Sequence, residues 1–237
     1  MAKRSAEAED PRRAFLLKAL AAGVLAAGGW RSARAQFFGR RPAPLPAGRS
    51  VYEVTGAVKV DGQPATNATR VGASSSLETG PGAQAIFVVG TDAFLMRQNS
   101  RIELAGEGFL ISTLRVATGA LLSVFGHVAK RVVTPTSTVG IRGTGLYVEA
   151  APDQSYVCTC YGETLIGAVG DPDATERIVS RHHNAPRYVL APGAKQRIRP
   201  APFINHTDVE LALIEALVGR TPPFSLFDEE YGGARRY

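Results

Sequence analysis

The only two cysteines of this chain stand two residues apart, in the stretch SYVCTCYGET that covers residues 155–164. A thiolate can be a nucleophile, a metal ligand or half of a disulfide, so the pair Cys158 and Cys160 is where chemistry concentrates. The four histidines are His127, His182, His183 and His206, and three of them follow the cysteines. Two thiolates with imidazoles make a donor set for zinc or copper. On an extended strand, residues i and i+2 face one side, which places Cys158 and Cys160 together and Thr159 opposite. Their Cα atoms are then about 6.5–7 Å apart, the far edge of disulfide geometry. Closing the bond requires the strand to bend, and Gly162 lies just beyond.

An oxidising compartment favours a Cys158–Cys160 disulfide, and this is the preferred expectation, with no cofactor. The alternative is a zinc or copper site built from Cys158, Cys160 and the histidines His182, His183 and His206; buried free thiols are a third state. The spacing is not the common CxxC of zinc knuckles. His182 and His183 are adjacent and face opposite sides of a strand, so only one of them is expected to join. His206 directly precedes Thr207 and also fits a supporting role at a helix start. His127 follows Gly126 and reads as an ordinary strand residue.

Catalytic signatures are missing. The sequence holds no GxSxG, HExxH, P-loop or dinucleotide fingerprint. GIRGTG, residues 140–145, resembles a glycine-rich loop. Residues that favour a strand follow it, so no helix N-terminus is available to hold a phosphate. The chain reads as non-enzymatic, with a dithiol redox role or a Cys–His nucleophile as the formal exceptions.

The elements that must position these residues begin late in the chain. Residues 1–35, MAKRSAEAEDPRRAFLLKALAAGVLAAGGWRSARA, have a charged start, an apolar run and small residues at Ala33 and Ala35 before Gln36. This is the layout of a cleaved export signal, with an apolar run too short to span a bilayer. Arg12, Arg13, Phe15 and Leu16 resemble the twin-arginine signature, whose substrates are exported already folded. The expected location is therefore the periplasm, with membrane contact only through the signal. The whole chain carries 27 basic and 21 acidic residues; removal of residues 1–35 leaves 20 and 18. The basic character resides largely in the signal. No basic block with interleaved aromatics follows, so no nucleic-acid partner is expected.

Residues 36–50 read as a Pro-rich extended linker with little to pack. From Val51 to about residue 169, short apolar runs alternate with Gly-rich punctuation, the pattern of an all-β fold. In RIEL, Arg101 and Glu103 alternate with Ile102 and Leu104, one wet face and one dry. Residues 170–237 form a C-terminal extension. Within it GDPDATER reads as a loop, and RYVLAPGAKQRIRP as a hairpin turning at Pro192-Gly193. A helix is expected at about 208–218, started by the capping box Thr207-Asp208-Val209-Glu210 and closed by Gly219 before Pro222-Pro223. Val209, Leu213, Ala216 and Leu217 make one apolar face, widened by Leu211, Ile214 and Val218, which predicts docking onto the β domain.

Several of these short segments together resemble the FecR domain family. Leu77-Glu78-Thr79-Gly80 and Asn99-Ser100 match its first half, and Arg115-Val116-Ala117-Thr118-Gly119-Ala120 its central step. Thr134-Pro135 and Ile141-Arg142-Gly143-Thr144 match its hallmark. The resemblance covers about residues 51–169. It implies a periplasmic, solenoid-like, twisted all-β module bound to a protein or ligand partner in envelope signalling, to which the helix read at about 208–218 adds a short C-terminal α-helical appendage. The best-known members follow an anti-sigma segment and a membrane helix; the twin-arginine-type start departs from that plan and puts direct control of a sigma factor in doubt. Arg142 is expected to tie loop carbonyls together in preference to binding a ligand.

Overall fold

Fourteen strands join in a single sheet in the computed structural model, which describes residues 42–224. Arg12, Arg13, Phe15, Leu16, Ala33 and Ala35, which read as an export signal, and the tail from residue 225 lie outside the described residues. The strands are β1 (Val51–Thr55), β2 (Val58–Val60), β3 (Gln63–Pro64), β4 (Ser76–Thr79), β5 (Gln84–Val89), β6 (Asp92–Met96) and β7 (Arg101–Glu107). They continue as β8 (Leu110–Val124), β9 (Lys130–Val133), β10 (Ser137–Ala150), β11 (Gln154–Ala168), β12 (Asp171–Ser180), β13 (Arg187–Leu190) and β14 (Ile198–Pro200). One helix follows, α1 (Asp208–Leu217). The all-β expectation holds, with an open, twisted sheet.

Pairing is antiparallel except between β8 and β9, where Thr113 faces Arg131 in parallel. These partners are 18 residues apart, one coil of a solenoid-like path. The coil is possible because β8 bends at Gly119 (φ +81°): before the bend it pairs with β7, after it with β6 and β10. Alternation decides the faces. In β7, Ile102 and Leu104 are buried while Arg101 is exposed. The core collects Phe87, Phe94, Leu114, Val132, Val139 and Ile166, with Phe87 stacked on Phe94 at 4.9 Å.

The segments that carry the family resemblance hold corners. The Thr79 hydroxyl donates to the Arg97 carbonyl (2.5 Å) and accepts from the Ser100 amide (2.9 Å). The Ser100 hydroxyl accepts from the Ala120 amide (2.9 Å). A Cβ at Gly119 would lie 2.5 Å from Ser100 Cα, so only glycine lets β8 pass there. Thr134 bonds Ser137 and Ser155 through its hydroxyl (2.8 and 2.7 Å), beside the exposed Pro135. Ile141 is buried, and the Thr144 hydroxyl donates to the Glu163 carbonyl (3.0 Å). Arg142 is exposed, and its Nε donates to one carbonyl, that of His127 (3.3 Å). His127 sits in the β8–β9 loop and not on a strand.

Three expectations are corrected. Residues 171–180 form strand β12, not a loop: Ala174 and Ile178 turn toward the core and Arg177 and Val179 outward, so the segment can extend β11. Residues 45–50 are not idle linker. The Leu45 amide donates to the Leu217 carbonyl (3.0 Å), and the Ser50 carbonyl accepts from Val88 (2.7 Å). In α1 the buried face is Leu211, Ile214 and Leu217, packed on β6 and β8, and Val209 is turned to solvent. Among the described residues no helix is long and apolar enough to cross a membrane.

Candidate metal centre

β11 delivers the cysteines. It pairs with β10 through Tyr147↔Cys158 and Leu146↔Thr159, then Gly145↔Tyr161. Over that step β11 advances two residues and β10 one, so Cys160 is the extra residue of a β-bulge. Both faces of this part of β11 are covered, and both cysteines are fully buried. The turn after β12 delivers His183. The Asn184 side-chain oxygen accepts from the amides of Arg181 (2.9 Å) and His182 (3.0 Å), and the His183 amide donates to the Cys160 carbonyl (2.8 Å). His183 is left-handed (φ +51°), which swings its ring toward β11. The segment leading into α1 delivers His206, stacked on Tyr147 with ring centroids 4.4 Å apart.

Four donor atoms converge. One each from Cys158, Cys160, His183 and His206, they all lie within 4.8 Å of one another, and all four residues are buried. His206 Nε2 is 3.1 Å from His183 Nδ1 and 3.4 Å from Cys160 Sγ; His183 Nδ1 is 3.5 Å from Cys158 Sγ. A tetrahedral zinc with ordinary bond lengths has edges of about 3.3 Å between nitrogens and about 3.5 Å between nitrogen and sulfur. The observed separations are those edges.

Outer partners fix the inner nitrogens. His206 Nδ1 is 2.7 Å from the Ile204 carbonyl, which can only accept, so Nδ1 carries the proton and Nε2 presents its lone pair inward. His183 Nε2 faces Asp208 Oδ1 at 2.9 Å, which leaves Nδ1 as its inward atom. The other Asp208 oxygen takes His182 Nε2 at 2.8 Å. This is the carboxylate–histidine arrangement that orients metal-binding imidazoles.

The thiols differ in their proton affinity. Burial opposes ionisation of Cys158, but hydrogen bonds from Cys160, His183 and His206 outweigh it and hold this thiol well below its usual value. Burial, then the neighbouring Cys158 sulfur, pushes Cys160 well up. Burial works against a charged His183, yet its bonds to Asp208 and Cys158 raise its pKa. Burial likewise opposes the Asp208 charge, and the bonds to His183 and His182 overcome it and lower the pKa.

The expected Cys158–Cys160 disulfide is not formed; both thiols are free. β11 stays paired with β10 on either side of the two residues, and each sulfur is turned to its own histidine. The histidine expectations change as well. His182 and His183 do not lie on a strand, and the left-handed turn sends both rings to Asp208. His183 and His206 join the cysteines, while His182 stands outside, behind Asp208. Sequence reasoning missed Asp208 and Asn184. Asp208 looked fully used as the second residue of a capping box, and Asn184 in HHN was the available signal for a pinned turn.

No protein-family model and no curated protein matches this chain. Among solved structures it is similar to a protein of Parabacteroides distasonis ATCC 8503 described as a candidate anti-sigma factor, solved at 1.65 Å and at 2.50 Å resolution. Identity is 12% and 13%, the TM-score 0.44 for both, and the match covers 53% of this chain and 58% of that one. The chain thus spans little more than half the length of that protein.

The centre is suited to holding an ion. All four positions of a tetrahedron come from the protein, the closed layout of structural zinc. Two thiolates and two neutral imidazoles cancel a divalent charge, whereas copper(I) would leave a net negative charge buried, which is costly. A nucleophilic role for Cys158 is disfavoured by its complete burial, which gives a substrate no approach.

Proposed function

We propose that this chain is an exported, non-enzymatic, FecR-like β module that carries one zinc ion on Cys158, Cys160, His183 and His206. One observation carries the zinc assignment: the four donor atoms lie within 4.8 Å of one another, three of their separations match edges of a zinc tetrahedron, and the outer nitrogens are held by Ile204 and Asp208. The ion links three separate segments: β11, the turn at residues 181–184 and the approach to α1. It fixes the C-terminal appendage on the sheet, so the face offered to a partner includes both. The motifs shared with FecR domains, together with the all-β sheet, support a protein-binding role in envelope signalling. Metal analysis of the full chain, purified without chelator, tests the zinc assignment. One zinc per chain, lost in Cys158→Ser and in His206→Ala, is expected; a metal-free protein from zinc-replete cells overturns it.

A further inference from the structure

The zinc centre and the start of the chain bear on each other. Each of the four donor residues is buried, the most exposed being His183 at 7%. They come from points as far apart as Cys158 and His206, so the cage exists only once the chain has folded through α1. That closure does not depend on the ion. Arg97 pairs with Glu210 at 2.8 Å, Tyr161 bonds Glu215, and the Arg220 guanidinium reaches the Thr91 carbonyl at 2.6 Å. An ion arriving after folding meets a closed shell. An oxidant arriving before folding meets two thiols two residues apart, and a dithiol that has become a disulfide cannot ligate zinc.

We infer that zinc is inserted as the chain folds in the reducing cytoplasm, and that the twin-arginine-type start, Arg12-Arg13-Ala14-Phe15-Leu16, then exports the loaded, closed domain. The inference rests on the zinc reading of the centre. The competing step on an unfolded chain is thiol–disulfide exchange. The Cys158 thiolate attacks the disulfide of an envelope oxidase and releases one of its sulfurs as a thiolate. Cys160 then displaces the other. The chain gains a Cys158–Cys160 bond and loses two electrons, and the oxidase leaves as a dithiol carrying the two protons. Zinc bound first withholds both sulfurs from this step and buries them. Loading before export is therefore the order that preserves the centre.

The test compares full chains in one bacterial host: the natural start, Arg12→Lys with Arg13→Lys to retain the chain in the cytoplasm, and a start replaced by one that exports unfolded chains. Zinc, free thiols and intact mass are measured on each. The expected result is one zinc and two thiols in the retained and naturally exported proteins. The chain exported unfolded should lack zinc and weigh two hydrogens less. Equal zinc and thiols by both export routes overturn the inference and leave the zinc reading standing. A retained protein without zinc overturns the zinc reading itself. An order-of-addition experiment covers the case in which the rerouted chain does not fold. The purified full chain is refolded from denaturant with zinc followed by oxidised glutathione, or in the reverse order. Zinc first should keep both thiols and the metal, and oxidant first should lose both; the same product from either order overturns the inference.

Discussion

Replacing Cys160 by serine separates the metal from the fold. The side chain is nearly isosteric, and the hydroxyl lies within reach of His206 Nε2, where the sulfur now sits at 3.4 Å. The buried oxygen therefore keeps a partner, and the metal-free variant should differ from the metal-free parent by about 1 kcal/mol. Zinc bound as proposed, in contrast, binds only the folded chain. At free zinc a thousandfold above its dissociation constant it adds about 4.1 kcal/mol. For a domain of this size each kcal/mol moves the melting temperature by about 2–4 °C. The parent protein should thus melt about 8–16 °C higher with zinc than in chelator, and Cys160→Ser should show almost none of that shift. Scanning calorimetry of both proteins, each with zinc and with chelator, measures it. A parent that zinc does not stabilise, or a variant stabilised as much as the parent, refutes the assignment of Cys160 as a ligand.

Asp208→Asn keeps a polar side chain in the first turn of α1 but loses the charge that orients His183, so zinc affinity should fall about 10–100-fold; competition with a chromogenic chelator reads it, and unchanged affinity removes Asp208 from the design. In the metal-free centre burial and the neighbouring sulfur shift Cys160 toward keeping its proton, the bond to Asp208 shifts His183 the same way, and hydrogen bonds shift Cys158 toward losing its own. Zinc must displace the protons its ligands hold, so apparent affinity should fall on acidification from neutrality; zinc binding measured in buffers of different ionisation enthalpy should show proton release, and a count of zero contradicts these directions. In metal-free protein the His183–Asp208 pair acts oppositely at its two ends. The raised His183 pKa contributes stability below about pH 6.5 that is lost as pH rises through its folded value, and the lowered Asp208 pKa contributes stability lost as pH falls through its own. Gly143→Ala places a Cβ at φ +61°, 2.8 Å from His127 Nδ1, and should cost about 1–2 kcal/mol by thermal denaturation while leaving the zinc-induced shift intact; a neutral substitution would show that this corner of the hallmark is not under steric constraint.

Much of the architecture was legible in the order of residues. Period-two alternation in β7 depends only on the pleat, and the capping box at Thr207 depends only on atoms three residues apart, so local sequence is enough for both. The candidate donors were visible too, since cysteine and histidine are ligands zinc prefers, although the cysteine pair read first as a disulfide. Local sequence could not place β12, because its acidic start reads as a loop until β11 supplies the partner that makes an edge strand worthwhile. Nor could it tell which histidines meet the cysteines. A strand would have separated His182 from His183; the left-handed residue and the Asn184 pin turn both toward Asp208. His206 looked like a helix accessory until docking of α1 set its Nε2 3.4 Å from a sulfur 46 residues earlier. Sequence by itself determined the β character, the helix and the chemical kind of the donors, because each follows from neighbours along the chain. Only the tertiary structure chose the four that meet, because a metal cage is a statement about distances between segments that no local rule contains.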